Sequence, residues 1–321
     1  MMAKKEWVKL ISDNGNYFLY SEETGEVLQG EELEKCTVTT IEDKKKQQYV
    51  IEKTYYEKND TEKFFWYLWD SKENSISDLT PSQLTTLMYL CTFMDYDNYL
   101  KLNYKTFFKR EDFDRVLNLK QTNVYEFYNM LMRKNILLMQ NTDVKTNKLK
   151  YKINPNIFYR GKFDSKKVNP NNISAIRIYH NIVKQLYKSK TSNKRLGYLF
   201  KLIPYVHREL NVLCNNPFEK DERKIKCLTL SNICDILNYS TSNQSTLFKE
   251  LSKITFSRKE WDIVWKENVF KKLPMYNIGQ AKSNSKQSKS KQIMFGINPL
   301  LFYAGTVMDR IDISNQYCIT D

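Results

Sequence analysis

The chain has 321 residues, with 51 Lys+Arg against 37 Asp+Glu and a formal net charge of +14, which points to a polyanionic partner. Hydrophobic residues make up 41% and aromatics 14%, too much apolar material for a disordered chain. No run of about 18 apolar residues occurs, and the opening Met1-Met2-Ala3-Lys4-Lys5-Glu6-Trp7 lacks the apolar stretch of a leader. The expectation is a cytoplasmic protein with no membrane partner.

At about 150 residues per domain the length suggests two domains. Only 8 Gly and 7 Pro occur, so helices should dominate over tight turns. Residues 1–75 carry 11 basic and 16 acidic residues, a net of −5, which leaves +19 for the remainder. An acidic N-terminal module therefore precedes a basic body, and a nucleic acid would meet the body.

The N-terminal segment reads as a β-meander: Trp7–Ile11, a turn at Asn14-Gly15, Tyr17–Tyr20, a turn at Glu23-Thr24-Gly25, then Glu26–Leu28. Residues 43–58 fit either strand or helix. Phe64-Phe65-Trp66-Tyr67-Leu68-Trp69 is the most apolar short run and must be covered, by the next domain or by a second copy of the chain.

Further along, the chain repeats itself. Ile153-Asn154-Pro155-Asn156-Ile157-Phe158-Tyr159-Arg160-Gly161 returns as Ile297-Asn298-Pro299-Leu300-Leu301-Phe302-Tyr303-Ala304-Gly305, with six of nine positions identical at an offset of 144. Upstream, Phe113, Val116, Leu117 and Asn118 match Ile233, Ile236, Leu237 and Asn238 at an offset of 120. Leu84, Leu87 and Leu90 match Leu196, Leu199 and Leu202 at an offset of 112. The offsets change between blocks, where loops tolerate insertion.

Each copy has one order of elements. In the first, Thr80-Pro81 starts an amphipathic helix to about Met94. A second helix spans about 110–117, and a polar turn Asn118–Asn123 leads to a third helix from Val124 to Lys134. Ile136–Met139 and Leu149–Ile153 then form two strands around a basic loop. In the second copy the helices fall at about 196–207, 231–237 and 243–253, with a long loop from about Lys271 to Gln292 before the strand Ile293–Ile297. An extra helix is expected over Ile173–Tyr187. Three helices closing on a two-stranded hairpin is the winged-helix arrangement, whose second and third helices form a helix-turn-helix. The expected fold is thus α+β and helix-rich: two tandem winged-helix (helix-turn-helix) domains with a small β-rich N-terminal module. The segments are 1–75, 76–165, a helical linker 166–195, 196–310 and a tail 311–321.

A base-reading helix needs an apolar inner face and short polar donors outside. Val124, Phe127, Tyr128 and Leu131 face inward in the first copy. Lys120, Gln121, Thr122, Asn123, Tyr125, Asn129 and Arg133 are the candidate DNA contacts, with Glu126 also outward. In the second copy Leu247, Phe248 and Leu251 face inward, and Thr241, Ser242, Asn243, Gln244, Ser245 and Lys249 are the candidates. Asn and Gln pair with adenine and Arg is scarce, which favours A·T-rich double-stranded DNA and shape readout. Lys145, Lys148, Lys150 and Lys152 line the first wing. Lys282, Lys286, Lys289 and Lys291 stand in the Ser/Lys-rich second wing, as phosphate contacts or as a solvated loop. The Asn-Pro-x-x-Phe-Tyr-x-Gly segment reads as structural.

The run Leu79-Thr80-Pro81-Ser82-Gln83-Leu84, with Met94-Asp95-Tyr96-Asp97-Asn98, Ile136-Leu137 and Tyr151 through Lys162, resembles winged-helix proteins of low-GC Gram-positive plasmids and phages, which include replication initiators and regulators. The resemblance covers roughly residues 5–165. Tandem winged helices are also similar to theta-type plasmid initiators, in which one unit binds origin repeats and the other helps dimerise. The resemblance implies DNA binding, a homodimer, and replication or transcription machinery as further partners. Ala304 and Thr306 replace the basic residues around the final Gly in the second copy.

Catalysis is not expected, nor is a cofactor or a metal. The two histidines, His180 and His207, are followed three residues on by Val183 and Leu210, so no His-x-x-Arg pair exists. His207 reads as a capping or surface residue near a helix end. No Gly-x-x-x-x-Gly-Lys loop or His-Glu-x-x-His occurs. The six cysteines form no Cys-x-x-Cys pair and read as free thiols. The leading expectation is a replication initiator. A promoter-binding repressor or activator and a protein-binding factor such as an antirepressor are the alternatives.

Overall fold

The computed structural model describes residues 8–11, 17–20, 27–28, 63–68, 76–141, 149–161, 175–260, 263–274 and 293–303. The chain divides into two compact units, Met1–Asp60 and Thr61–Asp321. In the first, β1 (Val8–Ile11), β2 (Tyr17–Tyr20) and β3 (Val27–Leu28) form an antiparallel meander in that order. Residues 43–58 lie outside the described residues.

The second unit is α+β, with small antiparallel sheets. The first copy of the repeat contains α1 (Pro81–Cys91), α2 (Arg110–Leu117), α3 (Gln121–Arg133), β5 (Leu137–Asn141), β6 (Leu149–Ile153) and β7 (Phe158–Tyr159). β4 (Phe64–Leu68) precedes it. β8 (Ala175–Tyr179) precedes the second copy, followed by α4 (His180–Lys188), α5 (Asn193–Lys201), α6 (Leu230–Ile236) and α7 (Gln244–Ser252). After α7 come β9 (Thr255–Glu260), β10 (Ile263–Asn268), β11 (Phe270–Pro274), β12 (Ile293–Ile297) and β13 (Phe302–Tyr303). No described helix is long and apolar enough to cross a membrane.

The two copies meet in one four-stranded sheet of order β13-β8-β4-β7, antiparallel throughout. That order reads the same from either edge: return strand, entry strand, entry strand, return strand. It is the order produced by a local twofold through the central pair, where Trp66 lies opposite Arg177. The repeated Phe-Tyr dipeptides are the two outer strands. Each is only two residues long and gains its pairing from the entry strand of its own copy.

Equivalent hydrogen bonds recur in both copies. Asn98 and Asn211, both buried and both in the left-handed backbone region at φ 67 and 55, hold corresponding turns. The Asn98 carboxamide donates to the carbonyls of Ile153 and Phe158, and that of Asn211 to those of Ile297 and Phe302. The Pro-containing turns behave alike. The Asn154 side chain accepts from Asn156 N–H, and that of Asn298 from Leu300 N–H. Gly161, at φ 151, then takes a conformation that L side chains rarely adopt.

Across the local twofold, α1 crosses α5. The Thr85 hydroxyl donates to the Asn193 carbonyl at 2.7 Å. At the corresponding position of the second helix, Gly197 packs on Pro81, and a Cβ there would lie 1.8 Å from the Pro81 carbonyl oxygen. One apolar cluster runs from Phe65 through Leu87, Leu131 and Leu199 to Phe302, so both copies share a core.

Several elements differ from the sequence reading. The expected helix over 173–187 is strand β8 followed by α4, because Ala175, Ile176, Ile178 and Tyr179 are buried in the central sheet before the helical spacing begins. Phe64–Leu68, grouped by sequence with residues 1–75, instead pairs with β7 and β8 inside the second unit, with Phe65 and Tyr67 buried. The first helix of the second copy ends at Lys201, since a 3₁₀ turn (Ile203–Tyr205) with Pro204 in it follows. His207 is consequently neither a cap nor exposed. Its Nδ1 accepts the N–H groups of Glu209 and Leu210, and its Nε2 lies 2.8 Å from the Glu219 carbonyl. The antiparallel hairpin β9–β10 is an insertion with no counterpart in the first copy. Gln185 on α4 grips that hairpin through paired amide hydrogen bonds to Ser257.

Replacing Gly197 by Ala is expected to lower folding stability by about 1–3 kcal/mol, because the Pro81 backbone must move. Thermal and urea denaturation of Gly197→Ala beside wild type measure this; an unchanged midpoint contradicts the close crossing.

Candidate nucleic-acid interface

In the first copy, Phe113 and Leu117 put the apolar side of α2 into the core. Asn118 ends α2 in the left-handed region at φ 49, a conformation Asn tolerates, and turns the chain toward α3. α3 starts at Gln121 rather than at Val124, so Gln121, Thr122 and Asn123 occupy its first turn instead of the preceding connection. Val124, Phe127, Met130 and Leu131 are buried, and Tyr128 is half-buried. Lys120, Gln121, Thr122, Asn123, Tyr125, Glu126 and Arg133 are exposed and Asn129 is half-buried. Tyr125 is the most exposed aromatic on this helix, at 60%. With Glu126, Asn129, Met132 and Arg133 it lines an open concavity.

The second copy follows the same logic. Asn238, at φ 51, corresponds to Asn118. A 3₁₀ turn (Thr241–Asn243) leads into α7, whose Leu247 and Leu251 are buried. Thr241, Ser242, Asn243, Gln244, Ser245 and Lys249 are exposed.

The N-termini of α3 and α7 share a property that α1, α2, α5 and α6 lack and that α4 also has. α1 and α6 carry capping boxes from Thr80 and Thr229, and α2 has Glu111 and Asp112 in its first turn. α3 and α7 have no side-chain cap and no acid in the first turn. The positive ends of their dipoles are therefore not offset by a capping side chain or a first-turn carboxylate, the electrostatics that suits an anionic oxygen.

The nearby cations divide into two groups. Arg115 pairs with Asp112 at 2.7 Å and Lys134 with Asp78 at 3.2 Å. Arg110 stacks 4.5 Å from the Tyr128 ring and reaches Asp114 at 3.6 Å. Lys120 and Arg133 have no carboxylate partner among the described residues.

The β5–β6 ladder pairs Leu137 with Ile153 through to Asn141 with Leu149. Along β6, Tyr151 and Ile153 are buried. Lys150 and Lys152 lie on the alternate face over aromatic rings. The Lys150 ammonium is 4.0 Å from the Phe107 centroid, and that of Lys152 is 5.2 Å from Tyr99. Lys101 joins this stack 4.5 Å from Phe107, while also pairing with Asp95 at 2.6 Å. The sequence reading missed Lys101 and the two rings, because the Tyr99–Phe107 loop has no periodic signal. Lys150 is not among the residues of the α3 concavity. In the second copy β11 pairs with β12, Phe270 opposite Ile297. Lys145, Lys148, Lys282, Lys286, Lys289 and Lys291 lie outside the described residues.

Among the described residues no three His, Cys, Asp or Glu side chains converge. Cys91, Cys214, Cys227 and Cys234 are free thiols, and Cys36 and Cys318 lie outside the described residues. Burial pushes the Cys214 thiol up to about 12 and raises the other three as well, so all four are protonated near neutral pH. Comparison with family models, curated proteins and solved structures gives no match.

The exposed face of α3 contributes little to the core, so a Tyr125→Ala/Asn129→Ala double variant should keep its folding stability within about 0.5 kcal/mol of wild type. Phe127→Ala, on the opposite face, should lose about 3–5 kcal/mol. Urea denaturation of the three proteins checks both values.

Proposed function

We propose that the two copies are winged-helix units and that the protein binds double-stranded DNA through them as a replication initiator of a plasmid or phage. α3 and α7 are the recognition helices, and the β5–β6 and β11–β12 hairpins are the wings. The observation that carries the reading is the recurrence, in both copies, of a third helix with a buried apolar side, exposed Asn, Gln, Ser and Thr, and an uncapped N-terminus free of acid. Such a helix offers base-edge donors and acceptors along one side and N–H groups for a phosphate at its start.

The charge balance supports the same partner. Beyond residue 75 the chain carries an excess of +19, and Lys150 and Lys152 are held by ring faces instead of by carboxylates. The local twofold relates the copies as a dimer relates two subunits. One chain would therefore present two recognition helices to two segments of a duplex. Tandem origin repeats fit that geometry; a single short operator fits the regulator reading less well.

Mobility-shift and footprinting experiments on DNA flanking the coding sequence test the proposal. The expected result is retention at low salt, with protection over repeated A·T-rich segments. Tyr125→Ala/Asn129→Ala should weaken specific binding at least tenfold, roughly the 1–3 kcal/mol per base contact. Lys150→Ala should lower the slope of log K against log salt by about 0.9 without changing sequence preference. Absence of any retention at low salt removes the reading. Protection of one palindrome at a promoter replaces the initiator with a regulator.

A further inference from the structure

A second basic site lies away from α3 and α7. The residue before β4, the loop after α1, the residue after β7 and the first half of α4 line a half-open cavity of about 480 Å³. Lys63, Arg160 and Lys184 converge on it, and none has a carboxylate partner among the described residues. Three cations from sequence-distant segments repel one another, and burial of Lys184 adds to the cost. Burial lowers the affinity of Lys184 for its proton, and the charges of Lys188, Lys63 and Arg160 lower it further.

The geometry of the cavity is built, not incidental. Arg160 donates to the Met94 carbonyl, and its guanidinium sits 4.9 Å from the Tyr96 ring. Lys184 lies 5.0 Å from the Phe93 ring. The His180 backbone N–H donates to the Lys63 carbonyl at 2.8 Å, which fixes the histidine beside that lysine. The His180 side chain lines the cavity and is only 2% exposed, yet its Nε2 has no hydrogen-bond partner. A buried ring nitrogen without a protein partner is costly.

Two carboxylates also line the cavity, Asp95 and Asp97. Asp95 is already occupied: it pairs with Lys101 at 2.6 Å and accepts the N–H groups of Asp97 and Tyr99. Asp97 is exposed at the rim. The interior remains cationic. Tyr96 and Tyr104 also line the cavity, 72% and 82% exposed, with Arg160 over the Tyr96 ring and Lys105 over that of Tyr104.

We infer that this cavity binds a phosphate-bearing small molecule, with Lys63, Arg160 and Lys184 holding the phosphate oxygens beside the buried His180 ring. A volume of about 480 Å³ suits a ligand of nucleotide size. Each tyrosine ring has a protein cation near it and is otherwise exposed, which gives a planar group attached to the phosphate a surface to stack on. The second copy carries Ala304 where the first has Arg160, so the site belongs to one copy only. The inference does not depend on DNA binding and is tested without DNA.

Burial, together with the charges of Arg160, Lys184 and Lys63, pushes the imidazole of His180 down to about 3 in the free protein. A phosphate dianion beside the ring favours the protonated form, so binding should raise that value. The test titrates inorganic phosphate and, separately, adenosine monophosphate into the full chain, followed by calorimetry and by the ring ¹⁵N signals of His180. Saturable binding of either probe, a shift of the His180 signals, and at least tenfold weaker binding in Lys184→Met and in Lys63→Met support the inference. These lysines are half-buried and exposed, so the variants should fold; their thermal midpoints confirm it. Phosphate binding alone identifies a phosphate site, and tighter binding of the nucleotide adds the stacking contribution of the tyrosines. No saturable binding of either probe, or affinities unchanged in Lys184→Met, overturns it.

Discussion

Everything in the larger unit depends on the antiparallel pairing of β4 with β8. Each copy of the repeat ends in a Phe-Tyr strand of two residues, too short to form a sheet without a longer neighbour. β4 and β8 provide those neighbours and, by pairing with each other, join the two copies into one sheet. The crossing of α1 with α5 closes the same junction from the helical side. It requires backbone contact at Gly197, where no side chain fits. Tyr187 of α4 adds a third tie: its ring stacks 3.9 Å from that of Tyr89, and its hydroxyl donates to the Leu117 carbonyl. The copies are therefore halves of a single cooperative body, not beads on a string.

This junction explains why α3 and α7 are free to act outward. The apolar demands of each copy are met by α1, α5 and the central sheet, which leaves the polar sides of the third helices without structural duties. Asn98 and Asn211 do the equivalent work for the hairpins. By binding two carbonyls each across 55 to 91 residues of chain, they fix where the returning strand leaves its hairpin and enters the central sheet. A buried carboxamide that satisfies two backbone acceptors is hard to replace, since an apolar residue would strand both.

Much of the repeat was legible in the sequence because its apolar spacing is regular. Leu84, Leu87 and Leu90 with Leu196, Leu199 and Leu202, and Phe127 and Leu131 with Leu247 and Leu251, occupy equivalent buried positions. The offsets that align them also align Asn118 with Asn238, both left-handed. Periodicity failed where it was masked. β8 and α4 adjoin without a break, and the apolar residues of β8 are buried by sheet neighbours from other parts of the chain, so a helical spacing runs on through a strand. The start of α3 was read three residues late because Gln121, Thr122 and Asn123 are all polar and carry no phase. The β9–β10 hairpin gave no signal, because it has no equivalent in the first copy against which to align.

The sequence by itself determined the repeat, the apolar faces of its helices, the N-terminal meander and the concentration of positive charge beyond residue 75. These follow from local spacing and composition, which need no partner across space. Only the tertiary structure decided that Phe64–Leu68 joins the body instead of the meander, that the repeated Phe-Tyr strands lie at opposite edges of one sheet, and that Lys63, Arg160, His180 and Lys184 surround one cavity. Strand pairing and charge clustering depend on which distant segments the core brings together, and a linear pattern carries no information on distances between segments more than a hundred residues apart.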